Sequence, residues 1–315
     1  MVKEHLSGYQ ARDYEVVDYE MYKLPGTELF FRGPEQPDLK PQQYFVCLGA
    51  AQTFGCFCEN PFPKILQEQL DLPALNLGYG GAGPRFYLRH TELLEYLNNA
   101  QFVIVQVMSG RSEDNSLFES QGLEFLKRRS DGLRLSSDDA YKSLLENNYL
   151  WKKSPVFQSH ARTLCRVVGA LRAVRVVFET RRNWLNSYEH LLNNITSPKI
   201  LFWFSQRTPE YRIRYTNLGS LFSSFPQLVN QEMVNKIRTF SDYYVECKSS
   251  RGSPQRLTSR FTGEPVQVRL ANDRPDFGDT VWRHNRYYPS PEMHIDAAQK
   301  LEPICKELVG MNLQE

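Results

Sequence analysis

Tyr44-Phe-Val-Cys-Leu-Gly-Ala-Ala-Gln-Thr-Phe-Gly55 decides how this chain is to be read. From Tyr44 to Leu48 the residues are apolar at odd and even positions alike, the pattern of a parallel strand covered by helices on both faces. The strand then runs into Gly49, Ala50 and Ala51, a turn of small residues that opens backbone N–H groups at the carboxyl end of the sheet. Ligands of open α/β sheets bind at that end. An ordinary strand-to-helix turn has the same composition, so the segment speaks for a fold class before it speaks for a site.

Outward from this strand the pattern repeats. After Asn60-Pro61, which opens a helix with proline at its first position, Phe62, Ile65, Leu66, Gln69 and Leu70 recur at helical spacing until Asp71-Leu-Pro73 stops them. Ala74 to Leu77 predicts a short strand, and Gly78-Tyr-Gly-Gly-Ala-Gly83-Pro a glycine-rich loop that permits close backbone approach. A helix is expected over roughly 85–99, with Leu88, Leu93, Leu94 and Leu97 inward. Phe102 to Met108 is then a β-branched, uncharged strand. It ends in the polar loop Ser109-Gly-Arg-Ser-Glu-Asp-Asn-Ser116, which includes Asn115 and is of the kind that carries function on a rigid scaffold.

Residues 120–155 read as a polar insertion with one helix around Asp139 to Asn148. Val156 to Asn194 is helical, with a break expected near Gly169. Lys199 to Ser205 and Asp242 to Cys247 are two further strands around a helix from Leu228 to Arg238, 249–290 is rich in loops, and His294 to Val309 is a final helix. Residues 1–43 read as an arm packed on the domain through Tyr9, Tyr14, Tyr19 and Tyr22. This order predicts an α/β fold over residues 44–315, a three-layer α/β/α sandwich with a flavodoxin-like parallel sheet in the order 2-1-3-4-5 and a basic helical insertion at about 120–195. Strands one and three are neighbours in such a sheet, which gathers Ala51, Gln52, Gly81, Arg111 and Ser112 around one crevice.

Composition bounds the function classes. The 315 residues are 41% hydrophobic and 23% charged, a globular balance with no stretch suited to a signal peptide or a membrane span, so a cytoplasmic protein is expected. The six cysteines are scattered, Cys56-Phe-Cys58 is too closely spaced for a zinc site, and no metal or cofactor is expected. Residues 1–150 hold 14 Lys and Arg against 21 Asp and Glu, whereas residues 151–270 hold 19 against 7. Arg162, Arg166, Arg172, Arg175, Arg181 and Arg182 fall on one helical run, compatible with an anionic small molecule or an acidic glycan and equally with a solvated helix face. No RNP, zinc-finger or helix-turn-helix signature points to nucleic acid.

Gly49-Ala-Ala-Gln-Thr-Phe-Gly55 resembles the Gly-Asp-Ser-x-Thr-x-Gly first block of the SGNH (GDSL-type) hydrolases, and Asn76-Leu-Gly-Tyr-Gly-Gly81 is similar to their second block. Gly110-Arg-Ser-Glu113 sits where Gly-x-Asn-Asp stands in that family, and His294 heads a helix where the last block's histidine is expected. More closely, the run resembles an uncharacterised bacterial family of unknown function whose members carry similar LGAAQTFG and VQVMSGRS segments. The departures bear on chemistry. An SGNH esterase needs a serine, a histidine base held by an acid, and an oxyanion hole. Here the serine position is Ala51, the position three before His294 is Pro291, and the asparagine position is Ser112.

Three readings follow. The first is a non-standard enzyme that modifies or transfers a group on an anionic or glycan substrate, with His294 as base and Arg111 holding negative charge. The second is a catalytically silent SGNH-like binding or scaffold protein. The third takes Ser109 to Ser116 as similar to the phosphate loop of sulfotransferases, although the loop is acidic and follows the third strand instead of the first. Each residue also has a plainer reading: His294 as a packed residue of a helix start, Arg111 as the partner of Glu113 or Asp114, Gln52 and Thr53 as stabilisers of the turn.

Overall fold

Four strands buried on both faces and one partly exposed strand form the central sheet: β1 (Phe45–Gly49), β2 (Ala74–Gly78), β3 (Phe102–Gln106), β4 (Lys199–Ser205) and, partly exposed at one edge, β5 (Tyr243–Lys248). The structure, a computed structural model, describes residues 8–36, 38–146, 158–215, 217–269 and 281–311, with the side chains of 146, 158–170 and 311 outside the description. The strands lie in the order β5-β4-β3-β1-β2 and every neighbouring pair is parallel. Val46 lies between Leu75 and Val103, and Ile104 faces Ile200 across the next pair. The expected three-layer α/β/α arrangement and the adjacency of the first and third strands are therefore what the chain forms.

Alternation along each strand divides the core into two layers. Val46, Leu48, Val103, Val105, Leu201 and Trp203 face one side, where they meet Trp184, Tyr188, Leu191 and Leu192 of the long helix α2 (Gln158–Asn194) and Met233, Val234 and Ile237 of α3 (Gln231–Arg238). Phe45, Cys47, Phe102, Ile104, Phe202 and Phe204 face the other. There they pack on Phe62 and Leu66 of α1 (Phe62–Leu70) and on Met293, Ala297, Leu301 and Cys305 of α4 (Pro291–Met311). Among the described residues no helix is long and apolar enough to cross a membrane.

Several elements differ locally from expectation. Pro61 is the cap of α1 and not its first residue, with Pro63 in the first turn. The helix expected over 85–99 is broken into Pro84–Arg89 and Leu94–Asn98, joined by a tight turn, because His90 at φ −109° and ψ 69° leaves the helical region. Residues 118–136 form a small antiparallel sheet, Phe118–Glu119, Phe125–Arg128 and Arg134–Ser136, before the helix Ser137–Glu146; the expected end of that helix, at Asn148, lies outside the described residues. The backbone of α2 is helical without interruption through Gly169, and the expected start at Val156 lies outside the described residues. α3 begins at Gln231, where the Asn230 side chain accepts from the Met233 N–H, since Leu228 at φ 65° is incompatible with a helix start.

The N-terminal segment runs over the carboxyl edge of the sheet. Tyr22–Lys23 pairs with Phe30–Phe31, and the Tyr19 hydroxyl donates to Asp13 at 2.7 Å while accepting from the Phe57 N–H at 2.9 Å. Arg32 is buried with its guanidinium on the carbonyls of Phe54, Gly55 and Glu59.

Candidate functional site

The strand-to-helix turn after β1 is held by side chains from three other elements. Gln106, at the end of β3, accepts through Oε1 from the Ala50 N–H at 3.0 Å and from the Thr53 hydroxyl at 2.8 Å. A Cβ at Gly49 would collide with both Thr53 Oγ1 and Gln106 Oε1, so only glycine fits there. The Tyr87 hydroxyl lies 2.6 Å from the Gly49 carbonyl and 2.7 Å from the Leu77 carbonyl, tying β1 to β2. The Asn76 amide donates to the Thr53 carbonyl at 3.0 Å. The helical turn Ala51–Phe54 then ends on Gly55, left-handed at φ 82°.

Ala51, Gln52, Gly81, Arg111 and Ser112 do come together here, around a cavity of about 20 Å³ that they share with Tyr9, Glu124, Tyr287 and Tyr288. That volume holds about one water. The Ser112 hydroxyl donates to the Gly81 carbonyl at 2.8 Å, so its one proton is spent inside the protein. Arg111 donates to Asp138 at 2.9 Å, to Glu124 at 3.0 Å and to the Tyr287 hydroxyl at 3.1 Å. Its expected partners, Glu113 and Asp114, instead pair with Arg85. Burial works against the Arg111 charge, yet Tyr287, Glu124 and Asp138 outweigh it and hold the guanidinium above its ordinary range.

Tyr9 closes the cavity from above. Its ring packs 5.6 Å from that of Phe54, its hydroxyl lies 3.4 Å from that of Tyr288, and a Cβ on Gly80 would stand 2.6 Å from its ring. Asn115 is not part of the lining. Its Oδ1 accepts from the N–H groups of Leu117 and Phe118, and its amide donates to Thr180 at 3.2 Å, so it shapes the loop.

His294 lines neither this cavity nor its neighbour. It is fully buried between the rings of Phe62 and Phe204, with Nδ1 accepting from the Phe62 N–H at 3.2 Å and Nε2 without a hydrogen-bond partner among the described residues. Burial, and secondarily the charge of Arg32, lower its pKa to about 3. A general base needs a reacting group or a water on its free nitrogen; here that nitrogen is buried and opens onto neither cavity.

Beside this small cavity a second opening of about 260 Å³ shares Gln52, Phe225 and Tyr287 with it and extends over the end of β4 along Phe204, Ser205, Ser223 and Gln227. Sequence reasoning found only Gln52 of this lining. The rest comes from residues 204–227 and 286–293, which carry no motif and meet only through the fold. Of the arginine run, Arg172, Arg175 and Arg182 are exposed and Arg181 donates to the Met233 sulfur, while the side chains of Arg162 and Arg166 lie outside the description.

A comparison with the curated proteins finds no match. Among solved structures the chain is similar to a carbohydrate esterase family 2 enzyme plus carbohydrate-binding domain from Corynascus thermopiles (Myceliophthora fergusii), at 9% identity and a TM-score of 0.39, over 89% of this chain and 69% of that one. It is similar to a family two carbohydrate esterase from Clostridium thermocellum in complex with cellohexaose, at 12% identity and a TM-score of 0.38, over 89% and 70%. It is also similar to a catalytic mutant of an acetylxylan esterase from Geobacillus stearothermophilus, at 10% identity and a TM-score of 0.37, over 86% and 96%. Likeness of this depth fixes no residue equivalence. Residues 8–309 match the family model described as Domain of unknown function (DUF6473), and the chain belongs to that family.

Proposed function

We propose that this protein is a catalytically silent, SGNH-like binding protein, one that recognises a small ligand at the carboxyl edge of its sheet without turning it over. The observation that carries this reading is Ala51: the residue at the head of the β1 turn has a methyl group where acyl transfer needs a nucleophile, and the space above it holds about one water. The neutral, buried His294 and the internally spent Ser112 hydroxyl support it further. A non-standard transferase using His294 as base and Arg111 as anion clamp has less support, because Arg111 already carries Asp138 and Glu124.

Restoring the hydroxyl tests the reading. Ala51→Ser, assayed on p-nitrophenyl acetate beside Ala51→Ser/His294→Ala, is expected to show no hydrolysis that depends on His294. Hydrolysis gained in the single variant and lost in the double one would instead establish a retained serine–histidine frame, and hydrolysis by the parent protein itself would end the silent reading.

A further inference from the structure

The central sheet ends on β2 at one side and on β5 at the other, and the two edges are finished differently. Along β2 the bonds to β1 run through the Tyr79 N–H and the Pro73 carbonyl, so the N–H groups of Ala74 and Gly78 point away from the sheet. Side chains close both of them. Gln67 accepts from Ala74 at 3.0 Å and Asn76 from Gly78 at 2.9 Å, and every residue of the strand is buried. An edge covered in this way offers no template to another strand.

The edge at β5 is open. The carbonyls of Pro198 and Phe202 are taken by Val103 and Val107 on the β3 side, whereas the carbonyl of Ser205 accepts from the Ser249 N–H on the β5 side. With Tyr243 opposite Ile200, this alternation points the odd residues of β5 at β4 and turns the backbone N–H and C=O groups of Tyr244, Glu246 and Lys248 outward. Among the described residues no backbone or side-chain group bonds to them. The strand has no proline, and its register is unbroken from Tyr243 to Lys248, so the usual ways of blunting an edge are absent except for charge. That charge is self-complementary. Asp242 stands just before the strand and Lys248 at its end, both exposed.

We propose that β5 is a dimerisation edge, to which a second copy of this chain adds its own β5 antiparallel about a twofold axis at Val245, joining the two sheets into one. In this register Asp242 of each copy lies opposite Lys248 of the other, and Tyr244 opposite Glu246 of the other, with the outward backbone groups exchanging hydrogen bonds. Neighbouring registers are poorer. An axis at Glu246 sets that carboxylate against its own copy, and an axis at Cys247 pairs Glu246 with Lys248 but runs Tyr243, Tyr244 and Val245 past the end of the other strand. Arg238 of α3 lies 5.1 Å over the Tyr244 ring and Glu307 of α4 accepts from the Tyr243 hydroxyl at 3.1 Å, so both helices flank the edge. Each comes alongside its counterpart and adds the buried surface that six paired residues alone do not supply.

Sedimentation velocity on the full chain over a concentration series should show a monomer–dimer equilibrium, and the amides of residues 242–248 should exchange more slowly with deuterium as the dimer fills. Glu246→Pro removes one outward N–H and spares the bonds to β4, a change that an edge strand tolerates; it should leave a folded monomer. Lys248→Glu and Asp242→Lys each set like charges opposite one another at both ends of the pairing, and each should weaken the dimer about tenfold. Mixed in equal amounts, the two variants again oppose unlike charges at both ends and should form a heterodimer tighter than either forms alone. Asp242 also accepts from the Lys199 N–H at 2.7 Å, so if Asp242→Lys does not fold, Glu246→Pro and Lys248→Glu still decide. A chain that stays monomeric up to its solubility limit would overturn the proposal. So would a dimer that folded Glu246→Pro or Lys248→Glu leaves at parental strength, or a mixture no tighter than its components, because the copies would then meet elsewhere or in another register.

Discussion

At the scale of single residues, His294 shows how position in sequence and chemistry can part. Its place at the head of the last helix is legible in the sequence, but its surroundings are not, because Phe62 and Phe204 reach it from segments far away along the chain. Burial holds the ring neutral, with the folded pKa lowered from the ordinary 6.5 to about 3. The sign follows. Above about pH 6.5 neither the native nor the unfolded chain protonates this ring. Between about 6.5 and 3 the unfolded chain takes up a proton that the native one refuses, so stability falls as pH drops, by at most about 1.4 kcal/mol per pH unit. Urea unfolding of the parent and of His294→Gln at pH 7, 6 and 5 checks this: the variant's stability should fall less steeply, by about one proton's worth. An identical slope would mean that the ring is open to protons in the native state.

At the scale of elements, β1 to β4 were legible because each is buried on both faces and its sequence is correspondingly poor in charge, and the observed β1, β2 and β4 lie within one residue of their expected bounds. The antiparallel pieces between Phe118 and Ser136 were not, since strands of two to four residues are too short to show a period. The helix α2 has a role that its sequence does not advertise: it holds the carboxyl end of β3. The Tyr188 hydroxyl donates to the Gln106 carbonyl at 2.8 Å and accepts from the Met108 N–H at 2.6 Å, and the Trp184 indole donates to the Met108 carbonyl at 3.2 Å. Tyr188→Phe leaves two buried backbone groups unpaired without changing the packing. It should lower stability by about 1–3 kcal/mol in urea or thermal unfolding. A loss below the error of the measurement would show that the loop after β3 rearranges to find other partners.

At the scale of the molecule, the N-terminal segment and the loop before α4 meet over the first strand, and no local pattern could have announced it: Tyr9 and Tyr288 touch from opposite ends of the chain. Arg32 fastens the same segment below, donating to three carbonyls around the end of the Ala51–Phe54 turn while burial lowers its pKa. Arg32→Leu should therefore cost more than a surface charge does, about 2–4 kcal/mol in chemical unfolding, since the carbonyls lose a charged donor inside the protein. A change under 0.5 kcal/mol, the range of a surface substitution, would mean that the segment is only loosely attached.

The aromatic roof over Ala51 also constrains what this sequence can become. A hydroxyl gained at position 51 would emerge beneath Tyr9 and Tyr288, where no ester has room, and a smaller residue at position 9 would open the space onto a methyl group. Neither change is useful without the other, and each alone gives selection nothing to keep. Room for an ester above position 51 therefore takes two substitutions at once, one under the roof and one in it, and single changes at either place leave this end of the sheet closed.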